Sequence, residues 1–282
     1  MTKKQLQSRK TLYEVLIAVS IFALIVFGFV FSIHHRQSII DTTLLTIFIC
    51  IFMLVVIILL VSGYLFKVLK KTYKAQYVVQ VFQTEFPTLI YRADEGLDKE
   101  DIYRTGMLKK ASRFRSEDYI SGKISGMRFE SADIHLEELR STGKSSYYVT
   151  VFQGRYYKIY LDKSFASPVF VLPKHYHRFN LQRQFETFDV ESIEFSNSFK
   201  TYAHDHHQAL MIVKPIVIDR ILAFSKTVKQ VMLGFENQTI YIAVDDRIDH
   251  FDMQLFRPIK FNVIDHIKAE LKLTEDLIEL LT

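Results

Sequence analysis

Histidine is the residue type in this chain best suited to chemistry, and two groups of it stand out. His175 and His177 are spaced i, i+2, so in an extended segment both rings point to one side and could bind one ion together. Zinc takes three or four ligands, and His204-Asp205-His206-His207 could supply the remainder. The candidate metal ligands are therefore His175, His177, His204 and His206. The plainer alternative is that both groups are polar loops facing water. No His-Glu-x-x-His or paired Cys-x-x-Cys occurs, so the spacing is not diagnostic. Asp245-Asp246 closes an apolar run, where a carboxylate pair can hold a cation or simply make a turn. A nucleophile elbow is missing: Gly122-Lys123-Ile124-Ser125-Gly126 has its serine one place off. Neither of the glycine-rich phosphate-binding fingerprints is present. No catalytic residue is assigned, and no cofactor is expected.

A second chemical pattern is cationic. Lys67, Lys70, Lys71 and Lys74 recur at three- and four-residue spacing, which places them on one helical face. They could touch anionic lipid head groups, at about 1 kcal/mol per charge, or serve only to set topology. Lys109, Lys110, Arg113 and Arg115 read as a solvated basic face.

These cations follow the most distinctive feature of the chain. Residues 12–33 carry one charge, Glu14 at the edge, and residues 42–66 carry none. Each run exceeds the roughly 20 residues that a helix needs to cross about 30 Å of hydrocarbon. A cleaved signal peptide is the alternative for the first run, but it is long for one and no small-x-small site follows Ile33. The N-terminal flank has Lys3, Lys4, Arg9 and Lys10, and the intervening loop has only Arg36. The positive-inside rule then places both termini in the cytoplasm, in a multi-pass protein of the cell membrane. Residues 1–74 form the membrane anchor and residues 75–282 a cytoplasmic domain. The net charge of +5 belongs to the anchor: it holds nine Lys+Arg against two Asp+Glu, leaving 27 against 29 beyond it. A near-neutral domain argues against nucleic acid as a partner. The single cysteine, Cys50, allows no disulfide within one chain.

Beyond the anchor, a helix should continue to Pro87, and a second should start after an Asp98 cap and run over 99–110. Residues 127–133 alternate as a strand. Residues 147–152 and 155–161 read as a hairpin turning at Gln153-Gly154. Residues 169–172, 199–202 and 209–213 read as strands, and Pro215 opens a helix with an apolar stripe through Val217, Ile221 and Phe224. A hairpin over 231–244 and an amphipathic C-terminal helix complete the domain. The fold class is α+β: two N-terminal transmembrane helices, then a mainly antiparallel sheet with flanking helices.

Several blocks carry a family resemblance. They are Asp118 to Gly126, Phe152-Gln153-Gly154, Asp162 to Phe165 leading to Val171-Leu172-Pro173, and Phe195, Phe199, Tyr202 and Asp205. Lys214-Pro215 with Asp219 to Leu222, and Ile240 to Ala243 with Phe251, complete the set. The chain resembles the bacterial membrane-anchored proteins catalogued as domain of unknown function 3137. It departs from that pattern after Asp205, where Gln208-Ala209-Leu210-Met211 replaces an acidic-Ala-Arg-Tyr run. The resemblance implies a LemA-type membrane protein as a partner and brings no catalytic residue. The expected function is a non-catalytic interaction or scaffold protein at the cytoplasmic face of the membrane. The alternatives are a diverged metal-dependent enzyme using the histidines and a lipid-binding module.

Overall fold

The computed structural model describes residues 2–35, 42–176, 185–247, 249, 251–259 and 263–281. The chain divides into two compact units: residues 1–81 with 252–260, and residues 82–251 with 261–282. His177 lies outside the described residues.

The first unit is a pair of long helices, α1 (Lys3–His35) and α2 (Thr42–Thr72). Both are long and apolar enough to cross a membrane. Phe27 of α1 packs its ring against Phe48 and Phe52 of α2, with centroids 5.2 and 5.4 Å away. Large apolar side chains such as Phe22, Phe29 and Leu60 are exposed on the outer faces. The charge of Glu14 is not left bare: it forms an ion pair with Lys10 one turn away and accepts a hydrogen bond from the Phe256 amide at 2.6 Å. After α2 the helix continues through a π-helical segment, Tyr73–Val78. A last α-helical segment, α3 (Val79–Glu85), ends just before Pro87, where a helix must stop.

In the second unit nine strands, counted among the described residues, form one antiparallel sheet in the order β1-β2-β3-β4-β9-β8-β5-β7-β6. The strands are β1 (Ile90–Arg92), β2 (Arg113–Ile124), β3 (Met127–Ser141), β4 (Ser146–Tyr160), β5 (Val169–Pro173), β6 (Glu186–Phe188), β7 (Phe199–Ala203), β8 (Gln230–Glu236) and β9 (Thr239–Asp245). The helices are α4 (Lys99–Arg104), α5 (Ile193–Ser198), α6 (His206–Ile212), α7 (Pro215–Ser225) and α8 (Val263–Leu281). The fold class is thus α+β, as the sequence indicates. Asp98 caps α4, its carboxylate accepting from the amides of Glu100 and Asp101, which satisfies two otherwise orphaned donors.

Three elements differ from the sequence reading. The helix expected over 99–110 ends at Arg104, after which the chain turns. Gln153-Gly154 is not a turn, because β4 runs unbroken through it. A Cβ at Gly154 would lie 1.9 Å from the Val244 carbonyl oxygen, so glycine is there to let β9 approach closely. The true hairpins lie on either side. Ile124 pairs with Met127 across Ser125-Gly126, both at positive φ as a two-residue turn demands. The other joins β3 to β4. Residues 209–212 are helical rather than extended, and Val213 closes the helix. Asp205 caps α6 through the His207 amide, and Ala209 and Ile212 bury at i, i+3 spacing.

The sheet is covered on both faces. One face carries the main apolar cluster, in which Ile102, Tyr103 and Met107 beside α4 meet Leu136, Phe152, Tyr156 and Phe170. Helix α8 lies on the other side, burying Ile267, Leu277 and Ile278, each worth about 1.5–3 kcal/mol against exposure.

Candidate functional site

Strand β4 carries charge inside a sheet core, in the run Arg155-Tyr156-Tyr157-Lys158. Alternation sends Arg155 and Tyr157 to one face and Tyr156 and Lys158 to the other.

Arg155 is fully buried. It lies opposite Asp133 of β3, and its Nη2 is 2.6 Å from Asp133 Oδ1. Its Nη1 donates to Ser131 Oγ at 3.3 Å and to the Asp118 carbonyl at 3.2 Å. The guanidinium also stands 5.0 Å from the centroid of the Phe251 ring. A bulge in β2 between Glu117 and Ile120 makes the Asp118 contact. There Asp118 adopts φ +58°, a left-handed conformation that aspartate tolerates better than most residues. Its carboxylate accepts from the Tyr91 hydroxyl at 2.6 Å. Two residues along β4, the Tyr157 hydroxyl donates to Glu270 of α8.

Asp118, Asp133 and Asp249 bring carboxylate oxygens within 4.8 Å of one another, the one such metal-capable group among the described residues. The positive charge there is supplied by Arg155. Burial works to lower the Arg155 pKa, but Asp133, then Tyr157, Glu270 and Asp118, outweigh it and hold the pKa above its usual value. Burial and the neighbouring Asp118 push the Tyr91 hydroxyl up; burial and Glu270 do the same to Tyr157. The arrangement is a buried network, one guanidinium among a cluster of carboxylates, that ties β1, β2, β3, β4 and α8 together.

Lys158, on the opposite face, meets Asp101 of α4 at 2.8 Å and Glu130 of β3 at 3.5 Å. Glu130 also accepts from the hydroxyls of Tyr160 and of Tyr119, the latter at 3.1 Å. Burial opposes ionisation of Glu130, yet hydrogen bonds from Tyr160 and the charge of Lys158 hold its pKa below normal. This centre opens on a surface cavity of about 380 Å³ whose wall includes Tyr119, Arg128, Glu130 and Tyr160.

Among the described residues, His175, His204 and His206 are not drawn into either centre. His175 is exposed in the turn after β5. His204 stacks on Phe185 with centroids 4.2 Å apart, and His206 lies 3.7 Å from Glu186. Asp245 is buried at the end of β9, 3.0 Å from Arg247 Nε. Among the anchor lysines, Lys67 and Lys71 are exposed, Lys70 pairs with Asp252, and Lys74 lies in the π-helical segment. Arg113 and Arg115 stand on β2, exposed and near Glu137 and Glu117 respectively.

The β3–β4 hairpin offers a different kind of surface. β9 pairs with β4 only over Gly154–Tyr160, and β2 leaves β3 at Glu137, so the far end is a two-stranded ribbon. Leu139, Tyr147 and Tyr148 are 47%, 48% and 39% exposed there. The Arg113 guanidinium lies 3.3 Å over the Tyr148 ring. Where β9 ends, Arg247 donates to the carbonyls of Thr150 at 2.6 Å and Val151 at 3.2 Å, closing that stretch of the β4 edge.

Sequence reasoning singled out neither Arg155 nor Glu270. The available signal was charge within core periodicity: Arg155 and Lys158 inside an aromatic strand, and Glu270 between Ile267 and Leu271 on the buried stripe of α8.

Residues 150–282 match the profile of the family described as "Protein of unknown function (DUF3137)", which bears out the family resemblance read from the sequence. No curated protein matches the chain. Among solved structures the chain is similar to the mycobacterial trehalose monomycolate transport factor A, TtfA. The two share 8% identity, with 76% of this chain and 98% of that one covered at a TM-score of 0.41.

Proposed function

We propose that this chain is a membrane-anchored, non-catalytic interaction protein whose β3–β4 ribbon engages a protein partner. The observation that carries the reading is the ribbon tip. In a sheet whose other aromatics are mostly buried, Tyr148 stands exposed opposite Leu139 with Arg113 laid over its ring, and Tyr147 is exposed on the other face of the ribbon. Tyrosine and arginine on a rigid support are the side chains that most often dominate protein interfaces. The hydrogen bonds and ion pairs of Arg155 and Lys158 link neighbouring strands and helices, which suits a rigid platform for that surface.

In this reading α1 and α2 cross the bilayer as a hairpin with both termini in the cytoplasm, and exposed Lys67 and Lys71 lie near the anionic head groups. A photocrosslinking amino acid at Tyr148 in the full-length protein, activated in the native membrane, should capture one stoichiometric partner. The same group at Lys123, at the opposite end of β2, should not. Equal background capture from both positions would remove the ribbon from the proposal. A reporter fused after Thr282 that is active only outside the cytoplasm would overturn the topology.

A further inference from the structure

A second cavity, of about 300 Å³, opens on a different part of the folded unit, between the segment after β4, helix α6 and the start of α7. Its floor is apolar: Leu161, Phe165, Met211 and Ile212 line it. The floor is firmly built. Phe165 packs edge-on against Phe235 of β8 at 5.7 Å, and its amide donates to the Asn237 carbonyl at 2.7 Å. The Leu161 amide likewise donates to the Gln238 carbonyl at 2.7 Å. Met211 is 53% exposed, so its side chain is open to a ligand in the cavity.

The rim is cationic. Lys163 and Lys214 both line the cavity, and among the described residues neither has a carboxylate within ion-pair distance. Lys214 is also the N-cap residue of α7, whose first turn holds no acidic residue and receives no side-chain cap. A cation at a helix N-terminus stands against the helix dipole, and an anion bound beside it would relieve both.

We infer that this cavity binds a single-chain amphipathic anion, an acyl carboxylate, with the chain on Met211 and Phe165 and the head group between Lys163 and Lys214. The volume is at the lower end of small-molecule sites and suits one short chain rather than a two-chain lipid. Charge complementarity selects the head group, and the apolar floor selects the tail.

The test uses the full-length protein in phosphatidylcholine nanodiscs and a decanoate bearing a photoreactive diazirine at its tail. Labelling should map to peptides spanning 161–166 or 206–214, and unlabelled decanoate should compete while decanol should not. The double variant Lys163→Ser/Lys214→Ser, which removes both charge-assisted contacts, should weaken labelling by at least about tenfold. Met211→Trp, which fills the cavity while leaving both lysines, should block labelling as well. Pulse proteolysis of each variant should match the parent chain, which separates lost binding from lost folding. Equal competition by decanol, or unchanged labelling in the folded double variant, would mean hydrophobic partitioning and end the proposal. Stronger competition by phosphatidylglycerol in the disc than by decanoate would overturn the single-chain occupant in favour of a membrane lipid.

Discussion

Arg155 and Lys158 sit on the same strand, face opposite sides of one sheet, and are each met by two carboxyl-bearing neighbours. The difference is water. Arg155 is closed in by Asp133, the Asp118 bulge, Tyr91 and Phe251, whereas Lys158, itself buried, meets two acids that reach water: Glu130 lines an open cavity and Asp101 is 45% exposed. In a closed site the cost of desolvating one charge can be offset only by its partner, so losing either partner strands the other. In an open site water replaces the lost partner, and the pair is worth little. The same two residue types therefore act as a structural keystone on one face and a tunable surface on the other.

The largest expected effect follows from the closed face. Arg155→Met should destabilise the folded unit by about 3–5 kcal/mol, because Asp133 and its neighbours remain charged and buried. Adding Asp133→Leu should restore part of that loss. Pulse proteolysis of the full-length chain across a urea series reads both, and a double variant no more stable than the single would show that the pair is not the unit that matters. Next comes Gly154→Ala. Its methyl group would lie 1.9 Å from the Val244 carbonyl oxygen, so β4 and β9 must part. Overpacking of this kind costs about 1–3 kcal/mol, measured in the same way.

The closed face also predicts an alkaline limit. Tyr91 and Tyr157 have raised pKa values in the folded chain, so they stay neutral while the unfolded chain ionises near pH 10. Above that pH the unfolded state has fewer bound protons than the native one, and stability falls by up to about 1.4 kcal/mol per pH unit for each tyrosine. Tyr91→Phe should flatten the slope above about pH 10; an unchanged slope would place the titration elsewhere. The open face has the opposite sign. Asp101 and Glu130 are held below their ordinary pKa values, so their contribution is present at neutral pH and fades as acid protonates them. Lys158→Met should cost about 1 kcal/mol and lose its effect in high salt, where Arg155→Met should not.

How much of this was legible in the sequence depends on periodicity. The long apolar runs, the Asp98 cap, Pro215 and the amphipathic pattern of α8 are local signals, and the structure agrees with them. Gly154 misled because glycine marks both turns and close approaches, and only the position of Val244 separates the two. Residues 209–213 misled because a short apolar run has no clear period, while the capping contact of Asp205 that decides the matter needs its geometry. The Arg155 centre joins five elements spread from Tyr91 to Glu270, and no spacing rule links residues so far apart.

The smallest effect on stability should come from the ribbon, and it sharpens the comparison by adding a face with little burial to lose. Tyr148→Ser removes a half-exposed ring and its contact with Arg113, for less than about 1 kcal/mol. If the ribbon is the working surface, that substitution should leave urea resistance near that of the parent chain and still abolish partner capture in the membrane. Lys158→Met should do the reverse, lowering resistance slightly and keeping the partner. The two variants thus form a crossed pair, and capture that survives Tyr148→Ser but fails in Lys158→Met would move the interface from the ribbon to the open cavity beside Glu130.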